Sequence, residues 1–135
     1  MARADDGSPV LVIKVCKGHI DTVSIYAFRD GLSADQPNRL LASWTSHHRS
    51  GNTIELPVND PPESWKPDPS TTGPFPVRGK RGFIVLAQSS TTDAEVTQVS
   101  FRGRELRGLS PGQVLIRDSQ VSTRAAFDHD ACAAD

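Results

Sequence analysis

The sequence predicts an all-β fold, either a sandwich or a barrel, from three observations. Short segments alternate apolar and polar residues with period two, no long segment keeps a helical period, and ten glycines with ten prolines favour many turns. Successive side chains on a strand point to opposite faces, so each such segment should be a strand with one core face. The residues expected to face the core are Leu11, Ile13, Val15, Val23, Ile25, Ala27, Leu40, Ala42, Trp44, Ile54, Leu56, Val58, Phe83, Val85, Ala87, Val99 and Phe101.

The first half of the chain should hold four strands. We place the first over residues 10–16 and the second over residues 20–29, where Asp30-Gly31 is a strong turn signal. The third should cover residues 40–46 and the fourth residues 53–58. Because only a short polar run separates them, the third and fourth strands are expected to form a hairpin.

A proline-rich loop is expected over residues 57–76, where seven of the ten prolines lie. Proline fixes φ and lacks the backbone donor, so this stretch should be neither a central strand nor a helix. Trp65 lies in its middle and would serve either as an anchor of the loop against the sandwich or as an exposed contact residue. We favour the anchor. Trp44 should lie in the core.

The second half should add strands over residues 83–87, 95–102 and 114–116. The spacing of Leu106 and Leu109 before Ser110-Pro111-Gly112 suits one short helical turn at an end of the sandwich. The tail, residues 119–135, could contribute an edge strand over residues 121–127. We therefore expect a flexible lead over residues 1–8, one β-sandwich domain over residues 9–118, and the tail.

About seven antiparallel strands at this spacing match an immunoglobulin-like sandwich. The stretch Val-Ser-Phe-Arg-Gly-Arg-Glu-Leu-Arg-Gly-Leu-Ser-Pro-Gly-Gln-Val-Leu-Ile, residues 99–116, resembles the C-terminal part of small, mostly uncharacterised bacterial β-sandwich domains. Some of those domains are carried on secreted proteins or lipoproteins. The resemblance implies a fold and no activity. Antibody-type domains pair one cysteine in each sheet, whereas Cys132 lies beyond the last expected strand, which argues against that sub-family.

Composition limits the partners and the compartment only in part. A chain of 135 residues buries roughly two-thirds of its unfolded surface and needs no metal or disulfide for its core. The 15 basic and 16 acidic residues give a net charge of −1, so no bulk field favours nucleic acid or anionic lipid. The apolar run 9–13 is far too short to cross a bilayer, so no membrane span is expected.

The first residues leave two interpretations of the compartment open. They lack the apolar segment of a signal peptide. The protein is cytoplasmic if this N-terminus is native, and extracytoplasmic if a signal or anchor was trimmed from an acidic linker. The compartment also bears on whether Cys16 and Cys132 are oxidised. They could form a disulfide that closes nearly the whole chain, or remain unpaired, one in the core and one in a frayed tail; we slightly favour the unpaired state.

No catalytic, metal or cofactor site is expected. The chain has no Gly-x-Ser-x-Gly elbow and no phosphate-binding glycine loop with its Lys-Ser/Thr ending. His47 and His48 are neighbours that would face opposite ways on a strand, so they do not suit one metal ion. Solvated turn and tail positions account for these groups and for the other candidate ligands, which are His19, Asp21, Asp128, His129 and Asp130.

Six basic residues flank two neighbouring expected strands. If those strands pair antiparallel, the start of the first lies beside the end of the second, and the cations gather at one end of the sandwich. They would suit an anion or a nucleic-acid backbone, but a solvated basic edge that discourages aggregation explains them equally, and we favour that edge. The residues are Arg78, Lys80, Arg81, Arg102, Arg104 and Arg107.

Taken together, the sequence favours a non-enzymatic β-sandwich module that binds a protein or a cell-surface component through its loops. Anion or nucleic-acid binding at the basic end is the first alternative, with nucleic acid the less favoured partner. A small enzyme with an unrecognised site is the second. The oligomeric state is left open by the sequence.

Overall fold

The structure is a computed structural model that describes residues 1–27, 39–50, 53–68, 82–90, 95–96, 99–116, 120–130 and 132. Within these ranges the chain forms strands of two to twelve residues and two short helices. The strands are β1 (Ala2–Arg3), β2 (Pro9–Ile13), β3 (Val15–Lys17), β4 (Ile20–Ala27), β5 (Arg39–Ser50), β6 (Ile54–Pro57), β7 (Trp65–Pro67), β8 (Gly82–Gln88), β9 (Glu95–Val96), β10 (Val99–Arg102), β11 (Gln113–Leu115) and β12 (Val121–Thr123). The helices are α1 (Gly103–Leu106) and α2 (Arg124–Asp130).

The strands form antiparallel sheets, which confirms the all-β class. The largest sheet has five strands in the order β10-β8-β4-β5-β7, and a second has three in the order β1-β2-β6. Two further pairs join β11 to β12 and β3 to β9. Neither helix in the described part of the chain is long and apolar enough to cross a membrane.

One hydrophobic core joins the two larger sheets. Val23, Ile25 and Phe83 of the five-stranded sheet belong to the same buried cluster as Leu11 and Leu56 of the three-stranded sheet. The rings of Phe83 and Phe101 lie 5.2 Å apart between centroids, across the β8–β10 pair. The period-two pattern therefore predicted most core faces correctly.

Leu40 is the exception among the expected core residues. Tyr26 is opposite Leu40, while its neighbour Ile25 is opposite Ala42, so the β4–β5 register shifts between them. The extra residue on β5 reverses the alternation from that point, as a β-bulge does. Leu40 consequently faces outward with 39% of its surface exposed. The core position expected for Leu40 is wrong for this reason.

Strand pairing differs from the expectation at two places in the first half of the chain. The expected first strand is two strands, β2 and β3, which join different sheets. The expected hairpin between the third and fourth strands is wrong, because β5 pairs with β4 and β7 whereas β6 pairs with β2. Sequence proximity favours a hairpin, but here the long β4–β5 pairing and the burial of Ile54 and Leu56 in the core determine the partners.

Residues 1–8, expected as a flexible lead, are part of the folded unit. Met1 is fully buried, and its backbone exchanges two hydrogen bonds of 2.7 Å with that of Leu115. Ala2–Arg3 pairs with β2.

The turn that follows is closed by Asp6 and Ser8. The backbone N–H and the hydroxyl of Ser8 donate to Asp6 Oδ1 at 2.9 and 2.6 Å. These bonds lower the pKa of Asp6, and the hydroxyl bond is the larger cause.

The tail also packs on the domain. Of the edge strand expected over residues 121–127, the part from Val121 to Thr123 pairs with β11, and from Arg124 onward the chain is helical. The Thr123 hydroxyl accepts a hydrogen bond from the Ala126 N–H at 3.1 Å, in the manner of a helix N-cap. Phe127 then packs with Val12 and Val114 in a second, smaller cluster.

The helical turn expected near Leu106 and Leu109 is present as α1. Its first turn is closed by Glu105, whose Oε1 accepts from the Arg102 N–H at 2.8 Å. Leu106 and Leu109 are both buried in the main core, which fixes this turn against the sheets.

Candidate functional site

The two strands flanked by the six basic residues form an antiparallel pair, as the basic-end hypothesis requires. Arg102 of β10 lies opposite Gly82 of β8. Arg102, Arg104 and Arg107 are exposed around α1. Arg78, Lys80 and Arg81, the other half of the expected cluster, lie outside the described residues.

Arg3 joins this end of the molecule, although nothing in the sequence signalled it. Its guanidinium Nη1 donates to the carbonyl oxygens of Arg107 at 3.0 Å and Leu109 at 3.5 Å, and its Nε donates to that of Gly7 at 3.4 Å. A cation that bonds the carbonyls after a helical turn offsets the partial negative charge there. The sequence separation of more than 100 residues hid this contact from local analysis.

Trp65 is buried in the structure. It begins β7, pairs with Ser46 at the edge of the five-stranded sheet, and keeps only 6% of its surface exposed within the main core. Pro67 ends the same short strand, consistent with the preference of proline for edge strands. Trp44 is also buried.

Cys16 and Cys132 form a disulfide with a Cα–Cα distance of 5.5 Å across a sequence separation of 116 residues. The slight preference for unpaired cysteines is therefore wrong. The tail returns to β3, and α2 packs on β2, which precedes β3 in the chain, through Phe127 and Val12. That long-range packing has no signature in the spacing of the cysteines.

The candidate metal ligands whose side chains the structure describes form no metal-binding cluster. Among the described residues, no three His, Cys, Asp or Glu side chains lie close enough to hold a metal ion. His19 and His129 are exposed. Asp21 instead bonds to Ser90 and Thr22, and the side chains of His47, His48 and Asp130 lie outside the described set.

The most distinctive surface is the outer face of the five-stranded sheet, on the side away from the core. In one row across it, Tyr26 lies between Leu40 and Ile84, and in the next row Ser24 lies between Ser43 and Leu86. We call Tyr26, Leu40, Ile84 and Leu86 the outer patch. Leu40 and Leu86 expose 39% and 44% of their surfaces, and Tyr26 and Ile84 are partly buried.

The nine described positions of the outer face that pair across β4, β5 and β8 carry no charge. The sequence is 23% charged, so nine positions should hold about two charges by composition, and they hold none. At the centre of this face the hydroxyls of Ser24 and Ser43 form a hydrogen bond of 2.9 Å, so each satisfies the other within this chain. The nine positions are Thr22, Ser24, Tyr26, Leu40, Ser43, Thr45, Ile84, Leu86 and Gln88.

Charged residues lie at the margins of this face. On the edge strand β10, Ser100 lies opposite Ile84 and therefore faces outward, and Arg102, two residues later, faces the same way. On the other edge strand, β7, Lys66 lies opposite Thr45. The outer face thus has an uncharged centre with exposed aliphatic groups and basic groups at its borders.

Comparison of the chain with protein-family models, with curated proteins and with solved structures gives no match.

Proposed function

We propose that this protein is a non-enzymatic interaction module that binds another protein through the outer patch. One observation carries the proposal: Leu40 and Leu86 are exposed on the same face of the five-stranded sheet, among nine described positions that carry no charge. Large exposed apolar groups that lie together on a soluble domain mark interaction sites more often than scattered ones do.

The anatomy of the face supports this proposal. Protein interfaces are depleted of charge at their centre, enriched in Tyr and bordered by polar residues. Tyr26 at the centre, with Arg102 and Lys66 at the borders, follows that arrangement. The nine central positions offer hydroxyl, amide and alkyl groups but no acid, imidazole or amine, so they favour binding over acid–base chemistry.

The order of strands in the large sheet supports the immunoglobulin-like assignment that goes with this function. In variable-type immunoglobulin domains the sheet G-F-C is extended by C′ and C″. Here the β4–β5 hairpin lies beside two late strands, β8 and β10, in the corresponding order. The edge strand β7 follows β6 in the chain, which departs from that pattern. The resemblance to bacterial β-sandwich domains remains part of the proposal.

A photo-crosslinking experiment tests the binding surface. A benzophenone amino acid replaces Leu86 in one variant and Val121 in another, each produced in cells that naturally make the protein. Val121 is a matched control because it is 52% exposed but lies on β12, in a different sheet. We expect one discrete heavier species from position 86 and none from position 121.

Charge substitution provides the second arm. Leu86→Asp should weaken capture of that partner by at least about tenfold, since it places an unpaired charge in the interface, and Val121→Asp should not. Equal melting temperatures of the two variants would exclude unfolding as the cause. Equal crosslinking from both positions, or none from position 86, would contradict the proposal.

Anion binding at the basic end is a second candidate, favoured by the β8–β10 pairing that sets Gly82, the sequence neighbour of Arg81, opposite Arg102. Asp5 and Asp6 are exposed in the turn that Arg3 reaches, and they lower the net charge of this end. A labelled oligonucleotide should bind with an affinity that falls steeply with salt, and Arg104→Gln with Arg107→Gln should reduce that slope. No binding at low salt would exclude this candidate.

A further inference from the structure

The C-terminal helix and the disulfide that follows it form one unit, which we call the C-terminal strap: α2 (Arg124–Asp130) together with Cys132. The strap lies against the side of β2 that faces away from the main core. Phe127 packs there with Val12 of β2 and Val114 of β11. Ala2, Val10 and Ile116, each partly buried, border the same cluster.

The helix itself holds this position weakly. Among its described side chains only Phe127 is buried, at 4% exposure. Further contacts of the helix include the surface ion pairs of Arg124 with Glu55 and with Asp128, the latter at 3.0 Å. Lys14 Nζ donates to the Asp128 carbonyl, and the Arg124 N–H donates to the Gly112 carbonyl at 2.8 Å. A helix of seven residues is far below the length that is stable alone in water, so α2 should lose its structure when it leaves the surface.

The disulfide adds a covalent connection between the end of α2 and strand β3. Cys132, two residues beyond α2, is bonded to Cys16 on β3, which continues directly from β2. The bond therefore fixes the far end of the helix within a few residues of the surface that Phe127 covers. Both cysteines are partly exposed, and neither belongs to the main core cluster.

We propose that the Cys16–Cys132 disulfide is a redox latch, and that its reduction by a dithiol releases the C-terminal strap and uncovers the apolar surface of Val12 and Val114. One reductant thiolate attacks a sulfur of the bond to give a mixed disulfide and one free cysteine. The second reductant thiol then displaces the other cysteine. Two electrons and two protons pass to Cys16 and Cys132, and the reductant becomes a disulfide.

The five-stranded sheet stays folded in this transition, because its core residues lie in the main cluster and the strap contributes to the smaller one. Elements with few buried apolar contacts open at lower free energy than the core does. This inference is independent of the proposed binding through the outer patch, which lies on the opposite sheet.

Hydrogen exchange measured by mass spectrometry on the full chain, before and after treatment with dithiothreitol, tests the latch. Amides of α2 should exchange at least about tenfold faster after reduction, while those of β4 and β8 keep their protection. Trypsin should cleave after Arg124 only in the reduced protein. The double variant Cys16→Ser/Cys132→Ser should show the reduced pattern in air and should not respond to dithiothreitol.

Two outcomes would overturn the latch. Unchanged protection of α2 after complete reduction would show that the non-covalent contacts alone hold the strap. Loss of protection in α2, β4 and β8 together would show that the disulfide stabilises the whole fold and not the strap alone. Return of α2 protection on re-oxidation of the same sample would support the latch, since an irreversible unfolding would not reverse.

Discussion

Asp21 is the clearest case in this chain of a buried polar residue explained by its local contacts. It lies near the start of β4 with 9% of its surface exposed. Its carboxylate accepts hydrogen bonds from the backbone N–H of Ser90 at 3.1 Å, from the Ser90 hydroxyl at 2.5 Å and from the Thr22 hydroxyl at 3.0 Å. These bonds fix the chain just after β8 ends.

Asp21→Asn should lower the free energy of unfolding by about 2 kcal/mol, because it removes the charge from these bonds and turns an amide NH₂ toward donors. Chemical denaturation with an unchanged m-value measures the effect. Asp60→Asn is the control, since Asp60 is exposed, and it should change stability by less than about 0.5 kcal/mol. Equal effects of the two variants would mean that the Asp21 bonds contribute nothing specific.

The buried amine of Met1 makes the stability of the 135-residue chain depend on pH. Burial lowers the pKa of this amine from 8.0 to about 5. Between pH 5 and pH 8 the amine is protonated in the unfolded chain and neutral in the folded chain. The free energy of unfolding therefore rises with pH across this range, and it decreases as the pH falls from 8 toward 5. A difference of about three units corresponds to as much as about 4 kcal/mol.

Denaturation curves from pH 5 to pH 8 measure this slope, with intact mass confirming that Met1 is present. The control is the same chain with a short N-terminal extension, which moves the charged amine away from its buried position. The slope should be smaller in the extended chain. Superimposable slopes would assign the pH dependence to other groups.

At the scale of elements, the turn before β11 depends on one backbone conformation. Gly112 has a φ of +84°, and its carbonyl accepts from the Arg124 N–H at 2.8 Å, which joins the turn to the start of α2. No atom lies within 4 Å of the position a Cβ would take, so space is not the constraint there. The left-handed φ alone favours glycine.

Gly112→Ala should therefore lower the free energy of unfolding by about 1 kcal/mol, and Gly112→Asn should cost less, because Asn tolerates this φ. Gly108→Ala is a control, since Gly108 lies after α1 with no positive φ and ordinary contacts. Melting curves of the three variants check the order. A Gly112→Ala variant as stable as the parent would refute the conformational explanation.

At the scale of the whole molecule, the disulfide closes a loop of 116 residues between the first strands and the tail. Loop-closure entropy gives such a bond up to about 5 kcal/mol of stability, through the unfolded state. Cys16→Ser/Cys132→Ser should lower the melting temperature clearly and yet leave a folded sheet, because the main core contains neither cysteine. Mass spectrometry of the unreduced parent should show two protons fewer than its reduced form. An unchanged melting temperature would contradict the expected contribution.

Local alternation was enough to find most of the strands and their core faces. Val23, Ile25, Phe83, Val99 and Phe101 are all buried as their spacing predicted, because a strand has a fixed side-chain period of two. The same rule failed at Leu40, where a register shift that depends on the partner strand reversed the faces. The hairpin expected between residues 40–46 and 53–58 failed for a related reason, since alternation identifies a strand but not its neighbour.

The candidate site was less predictable. The outer patch gathers Tyr26, Leu40 and Leu86 from three strands, and only the pairing of β4 with both β5 and β8 places them side by side. Arg3 reached the basic end, and Cys132 reached Cys16, across more than 100 residues. Contacts at such separations leave no periodic signal.

The sequence by itself thus determined the all-β class, the strand faces and the short turn at Leu106 and Leu109, because these follow from side-chain direction and turn chemistry within a few residues. Only the tertiary structure decided which strands pair, which exposed groups share a surface, and that both chain ends pack on the domain. Those outcomes depend on burying apolar surface between segments far apart in the chain. That free energy is realised only when the sheets have assembled around the core.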